Sequence, residues 1–287
     1  MNLRRLAIAL SIVGASTLGL TGCGGSSNDY PEIVSLEGTA IDGYLANAKV
    51  CVDSNRNRQC DQGEDFAMTD GNGDFEIETA DNTSPLVLES TASTVDISDT
   101  PPSAVGEGLF LTAPNGSANI TPLTTLAQIR SEVTGESYAA SQTQVISDLG
   151  ITGVTSLADF DYIEAQSSDD AATVTNATKA AATAAAVARV IKTNNQALAA
   201  STTSTSAIRS AVVFSLMVST TGNTPLRSIA TAVNTAIDAS STPDTDAIAD
   251  ANTPNSSDVE DLGDTIEQAE DSGGTVDTSG STGGGSV

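Results

Sequence analysis

The chain changes its period once, at Asn119-Ile-Thr-Pro-Leu-Thr-Thr-Leu-Ala127, and that change divides what it can fold into. Before it come short apolar runs separated by turn residues: Val34 to Ile41, Ala48 to Val52, Phe75 to Glu78, Leu86 to Glu89, with Gly108 to Leu111 closing the set. Such runs at short spacing predict strands of a small antiparallel sandwich. Alternation is clearest where Phe75 and Ile77 share one side and Glu76 and Glu78 the other. Asp70-Gly-Asn-Gly-Asp74 precedes that run, and its glycines predict a tight hairpin turn.

After the change the apolar residues recur at helical spacing. Thr121 can cap a helix and Pro122 suits its first turn, with Leu123, Leu126 and Ala127 on one face. Further helices are predicted from Tyr138 to Leu149, stopped by Gly150, from Asp169 to Leu198, and from Thr205 to Val218. Ala184, Val187, Ala188 and Ile191 form the inward stripe of the long one, and Ile208, Val212 and Leu216 that of the next. A last helix starts at Thr224-Pro225-Leu226, with Leu226, Ile229, Val233 and Ile237 facing inward. The fold class is therefore α+β and multidomain: a small antiparallel β-sandwich over 33–114, then an all-α, alanine-rich helical domain over 119–240.

Composition limits the second half. Hydrophobic residues make up 39% of the 287, but much of that is alanine; aromatics are 3% and tryptophan is absent. Alanine buries little area, so each helix gains little per residue. Past residue 241 the chain turns rich in Asp, Thr and Ser, and 241–287 is expected to be an acidic, largely disordered tail. One marginal amphipathic stretch remains there, where Val259, Leu262 and Ile266 fit a helix that Gly263 should break; Ser272 to Val287 is Gly-, Ser- and Thr-rich.

The net charge of -26, from 11 basic and 37 acidic residues, makes nucleic acid a poor partner, because phosphate backbones would be repelled. Most of the carboxylates read as a solvated surface. Histidine is absent, which removes Ser-His and Cys-His nucleophilic systems and His-ligated zinc.

The amino terminus reads as an address. Arg4 and Arg5 precede an apolar stretch from Leu6 to Leu20, short for a spanning helix and right for a secretory signal over 1–22. It ends at Leu20-Thr21-Gly22-Cys23, which resembles the bacterial lipobox. The resemblance implies lipidation of Cys23, cleavage after Gly22 and a membrane-held, palmitate-bearing protein. Gly24 rather than aspartate follows Cys23, which implies outer-membrane or cell-surface placement. The alternative is a soluble secreted chain cut nearby. Residues 23–32 then read as a flexible tether.

Between the second and third runs lies Asp53-Ser-Asn-Arg-Asn-Arg-Gln-Cys-Asp-Gln-Gly-Glu64. With Asp53 as position 1, oxygen-bearing side chains fall at Asn55 (3), Asn57 (5), Gln59 (7), Asp61 (9) and Glu64 (12), the spacing of a twelve-residue calcium loop. Position 6, which wants glycine, is Arg58. Only Asp53, Asp61 and Glu64 are charged, so affinity for Ca2+ is expected to be weak, on the order of 10⁻⁴ M. The alternative is an Asn/Asp-rich turn without an ion. Cys51 and Cys60 form an even pair in an exported chain, most simply a disulfide; two free thiols are the other possibility.

Ile41-Asp-Gly-Tyr-Leu-Ala-Asn-Ala-Lys-Val-Cys-Val-Asp-Ser-Asn-Arg-Asn57, with Gly63-Glu64 and Thr69-Asp-Gly-Asn-Gly-Asp-Phe75, is similar to the prealbumin-like repeats of bacterial surface proteins. These are the collagen-adhesin B-type and carboxypeptidase-regulatory-like domains. The resemblance covers about eighty residues. It implies a seven-stranded sandwich, calcium at the loop, and spacing, adhesion or docking rather than catalysis, with a protein or glycan as ligand. The segment from Ile120 to Leu126, leading into acidic alanine-rich helices, resembles one found after calcium-loop β-domains in marine bacterial lipoproteins and adhesins. Two other functions fit the composition: a carboxylate-based glycan hydrolase, and an accessory subunit of a surface filament or secretion assembly.

Overall fold

Alternation builds the first half as expected. Strand β1 (Val34–Ala40) runs antiparallel to β5 (Asp74–Thr79), with Leu36 opposite Ile77 and Glu37 opposite Glu76. Leu36, Phe75 and Ile77 are buried and the three glutamates exposed. Gly38 faces Phe75, and a Cβ there would stand 2.7 Å from the ring and 2.9 Å from the Ala118 carbonyl, so only glycine fits. A four-stranded antiparallel sheet follows the order β4 (Phe66–Met68), β3 (Lys49–Val52), β6 (Leu86–Glu89), β9 (Phe110–Ala113). A small third sheet holds β2 (Leu45–Ala46), β7 (Val95–Asp96) and β8 (Ser103–Ala104). Finally β10 (Asn119–Ile120) returns to pair in parallel with Thr39 and Ala40 of β1. The computed structural model describes residues 31–218 and 223–276. The signal segment, Cys23, nearly all of the tether and residues 277–287 lie outside these.

Asp70 to Asp74 does form a tight turn, with Gly73 at φ 84° and the Asp70 N–H donating to the Asp74 carbonyl at 2.8 Å. It carries the chain from one sheet to another rather than closing a hairpin ladder, because β4 pairs with β3 and β5 with β1.

The helical half begins at α1 (Pro122–Thr134). The Thr121 hydroxyl accepts from the Leu123 and Thr124 amides, and the Thr124 hydroxyl accepts from the Thr121 amide in return, a capping box. Thr124 and Thr125 stitch this helix to the sheet. Thr125 Oγ1 accepts from the Thr112 amide at 2.9 Å, and Thr124 Oγ1 donates to the Thr112 carbonyl at 3.0 Å. All three threonines are fully buried, and each is satisfied.

Helix α2 (Tyr138–Leu149) ends at Gly150 in the left-handed conformation. A single 3-10 turn over Glu164–Ser167 precedes α3 (Ala171–Ala197), capped by Asp170. Then come α4 (Thr205–Phe214), α5 (Pro225–Asp238) capped by Thr224, α6 (Thr245–Asn252) and α7 (Ser256–Ser272). Helix α3 packs against α1, α4, α5 and α6, and its buried Ala177, Ala180, Ala184 and Ala188 let those neighbours approach closely. The protein is thus α+β, with small antiparallel sheets followed by helices, and one apolar core runs unbroken from Leu36 and Leu88 to Val187 and Ile266.

The stretch past residue 241, expected to be largely disordered, holds the two helices α6 and α7. Val259 and Ile266 are buried, and Gly263 does not break α7. It lies where a Cβ would meet Ile208 Cδ1 at 3.1 Å and Thr203 Cγ2 at 3.4 Å, so the missing side chain lets α7 seat on α4.

Candidate functional site

The loop leaves β3 at Val52 and is pinned at once. Asp53 donates its amide to the Pro85 carbonyl at 2.9 Å, and Cys51 is joined to Cys60 with 5.5 Å between Cα atoms. The disulfide expected from the cysteine pair is present. Asp53 is fully buried, and its two carboxylate oxygens accept from the amides of Asn57 at 3.0 Å and Arg58 at 2.8 Å. Burial pushes its pKa up to about 6; the two amide bonds oppose this, and the charges of Glu64 and Glu132 add to it.

The other expected ligands gather round it. Asn55 Oδ1 accepts from the Asn57 amide at 3.0 Å, and Asn57 Oδ1 from the Gln59 amide at 2.9 Å. The side-chain amides of Asn55 and Asn57 both donate to Asp61 Oδ2, at 2.8 and 2.6 Å, and hold the Asp61 pKa below the usual carboxylate range. Glu64 closes the ring by accepting from the Ser54 and Asp61 amides, each at 3.0 Å. Gln59 enters through its main chain only. Five of the six expected side chains are therefore in one hydrogen-bonded loop.

The donor set is all oxygen, the chemistry a hard cation requires. Among the described residues no three acidic, cysteine or histidine side chains are grouped as a metal site. A cation here would accordingly draw on the amide oxygens and loop carbonyls besides the carboxylates.

Arg58 is the residue the sequence misjudges. It sits at φ 60° at position 6, adopting the left-handed conformation that glycine takes more readily, and Arg56 does the same at 57°. Its side chain turns away from the loop into the helices, where it lies 2.9 Å from Glu132.

Two further features were not anticipated. Asp42, Asp96 and Asp99 gather at the turn after β1, where burial first, and then Asp96 and Asp99, raise the Asp42 pKa well above the ordinary carboxylate value. A cavity of about 440 Å³ opens beside the amino end of α3, walled by Thr155, Asp159, Phe160, Asp170 and Asn176. The Asp170 carboxylate there is engaged in capping, accepting from the Thr173 amide and hydroxyl at 2.8 Å. No family model matches the chain, and neither a curated protein nor a solved structure is significantly similar to it.

Proposed function

We propose that this chain is a lipid-anchored cell-envelope protein, non-enzymatic, whose calcium-stabilised β region serves binding, adhesion or spacing. In this reading the β region is a prealbumin-like sandwich, Cys23 carries the anchor, and the outer membrane or cell surface is its place. The supporting observation is Asp53: a fully buried carboxylate that meets amides and the like charges of Glu64 and Glu132, inside a ring of oxygens. Such an arrangement suits a hard cation. Asp53, Asn55, Asn57, Asp61 and Glu64 would hold it, with the Gln59 carbonyl, and its charge would offset the repulsion of Asp53 by Glu64.

The test uses the whole protein in detergent. A ligand that binds only the folded state stabilises by RT ln(1 + [L]/Kd), about 2.7 kcal/mol at 100 times Kd. Millimolar calcium should raise the melting temperature, and magnesium, which gives up its waters reluctantly, should raise it less. Asp53→Ala or Glu64→Ala should abolish the rise, whereas Asp74→Ala, in the turn before β5, should keep most of it. A full calcium response in Glu64→Ala would place the ion elsewhere. For the anchor, Cys23→Ser should release the protein from membranes; unchanged detergent partitioning would defeat that part of the reading.

A further inference from the structure

Arg58 is held at both its ends. Its amide donates to Asp53, the first oxygen donor of the loop. Its guanidinium, on a residue only 5% exposed, lies among three helices: Nη2 is 2.9 Å from Glu132 of α1, Nη1 is 2.5 Å from the Ser206 hydroxyl of α4 and 3.1 Å from Glu270 of α7. The carbonyl of the same residue accepts from the Arg209 guanidinium of α4. Arg209 in turn lies 2.7 Å from Glu89 of β6 and 4.9 Å over the Phe110 ring of β9. The disulfide closes the ring of residues that carries Arg58, so the loop has little freedom to move without moving this side chain.

We propose that Arg58 couples the loop to the helices: a cation that fixes Asp53 fixes Arg58, and through it steadies α1, α4 and α7. Asp53 has lone pairs enough for a cation and the Arg58 amide together. By linkage, anything that locks those helices tightens the cation to the same degree. The inference rests on the cation reading above. It also accounts for an arginine where glycine would relieve the backbone, since glycine could not reach the helices.

Hydrogen exchange of the full chain, with calcium and with chelator, tests it in wild type and in Arg58→Gly. Glycine suits the backbone at position 6, so the loop should keep its calcium response. In wild type, calcium should slow exchange in the loop and, about fivefold or more, in α1, α4 and α7. In Arg58→Gly the loop protection should remain and the helix protection should vanish. Glu132→Gln with Glu270→Gln removes both ion pairs from the helix side, with every loop residue kept, and should behave alike. Helices that respond in these variants as in wild type would overturn the coupling. A loop that ignores calcium even in wild type would overturn the cation reading and the coupling with it.

Discussion

Arg58 Nη2 lies 2.9 Å from Glu132 Oε2, and the two side chains are only 6% and 12% exposed. Stranding a charge this far from water costs about 3 kcal/mol or more, but without Glu132 the guanidinium keeps the more exposed Glu270 and the Ser206 hydroxyl. Glu132→Ala should therefore lower stability by about 2 kcal/mol in urea denaturation. Glu270 is 40% exposed, so Glu270→Ala should cost less than about 1 kcal/mol. Equal losses from the two variants would show that burial does not set the strength of this contact.

Peptide mapping of the unreduced protein should recover Cys51 and Cys60 linked. Replacing both by serine frees a short ring of the unfolded chain, and stability should fall by about 2–3 kcal/mol. Labelling of both cysteines without reductant would contradict the bridge.

Gly263 should tolerate little growth. A helix-interior glycine usually gains about 1 kcal/mol on replacement by alanine. Here the new methyl would press on Ile208 at 3.1 Å, so Gly263→Ala should be near neutral. Gly263→Val adds bulk in the α4–α7 contact and should cost about 2 kcal/mol by thermal denaturation. A stabilised valine variant would mean that α7 does not seat on α4.

Tyr162, fully buried, donates its hydroxyl to the Ile41 carbonyl at 2.9 Å and so ties the segment before α3 to the residue that follows β1. Tyr162→Phe leaves that carbonyl short of a partner and should cost about 1–2 kcal/mol. An unchanged denaturation midpoint would show that the carbonyl is satisfied without it.

Local signals made much of the fold legible. Thr121-Pro122, Thr224-Pro225 and Gly150 are capping chemistry, and the helices begin or end at them. Phe75 and Ile77 declare their strand by alternation. Strands of two residues, such as β2 and β7, have no period to read. Helix α6 buries Ala249 alone, and α7 is held by Val259, Gly263 and Ile266; these helices are stabilised by packing on distant residues, which composition reads as a solvated tail. The loop's oxygen spacing was visible for the same reason as the caps: its partners lie within twelve residues. The Arg58 contacts reach 74 residues on to Glu132 and 212 to Glu270, and no local pattern reports them.

The parallel pairing of β10 with β1 bears on how the protein meets tension. The chain enters β1 at Val34 and leaves β10 at Ile120 for the helices. A pull between the amino end and the helical half therefore drags the two strands in opposite directions along their length. The Thr39–Asn119 and Ala40–Ile120 pairs are loaded in shear and must give together, whereas a hairpin pulled at its open end yields one rung at a time.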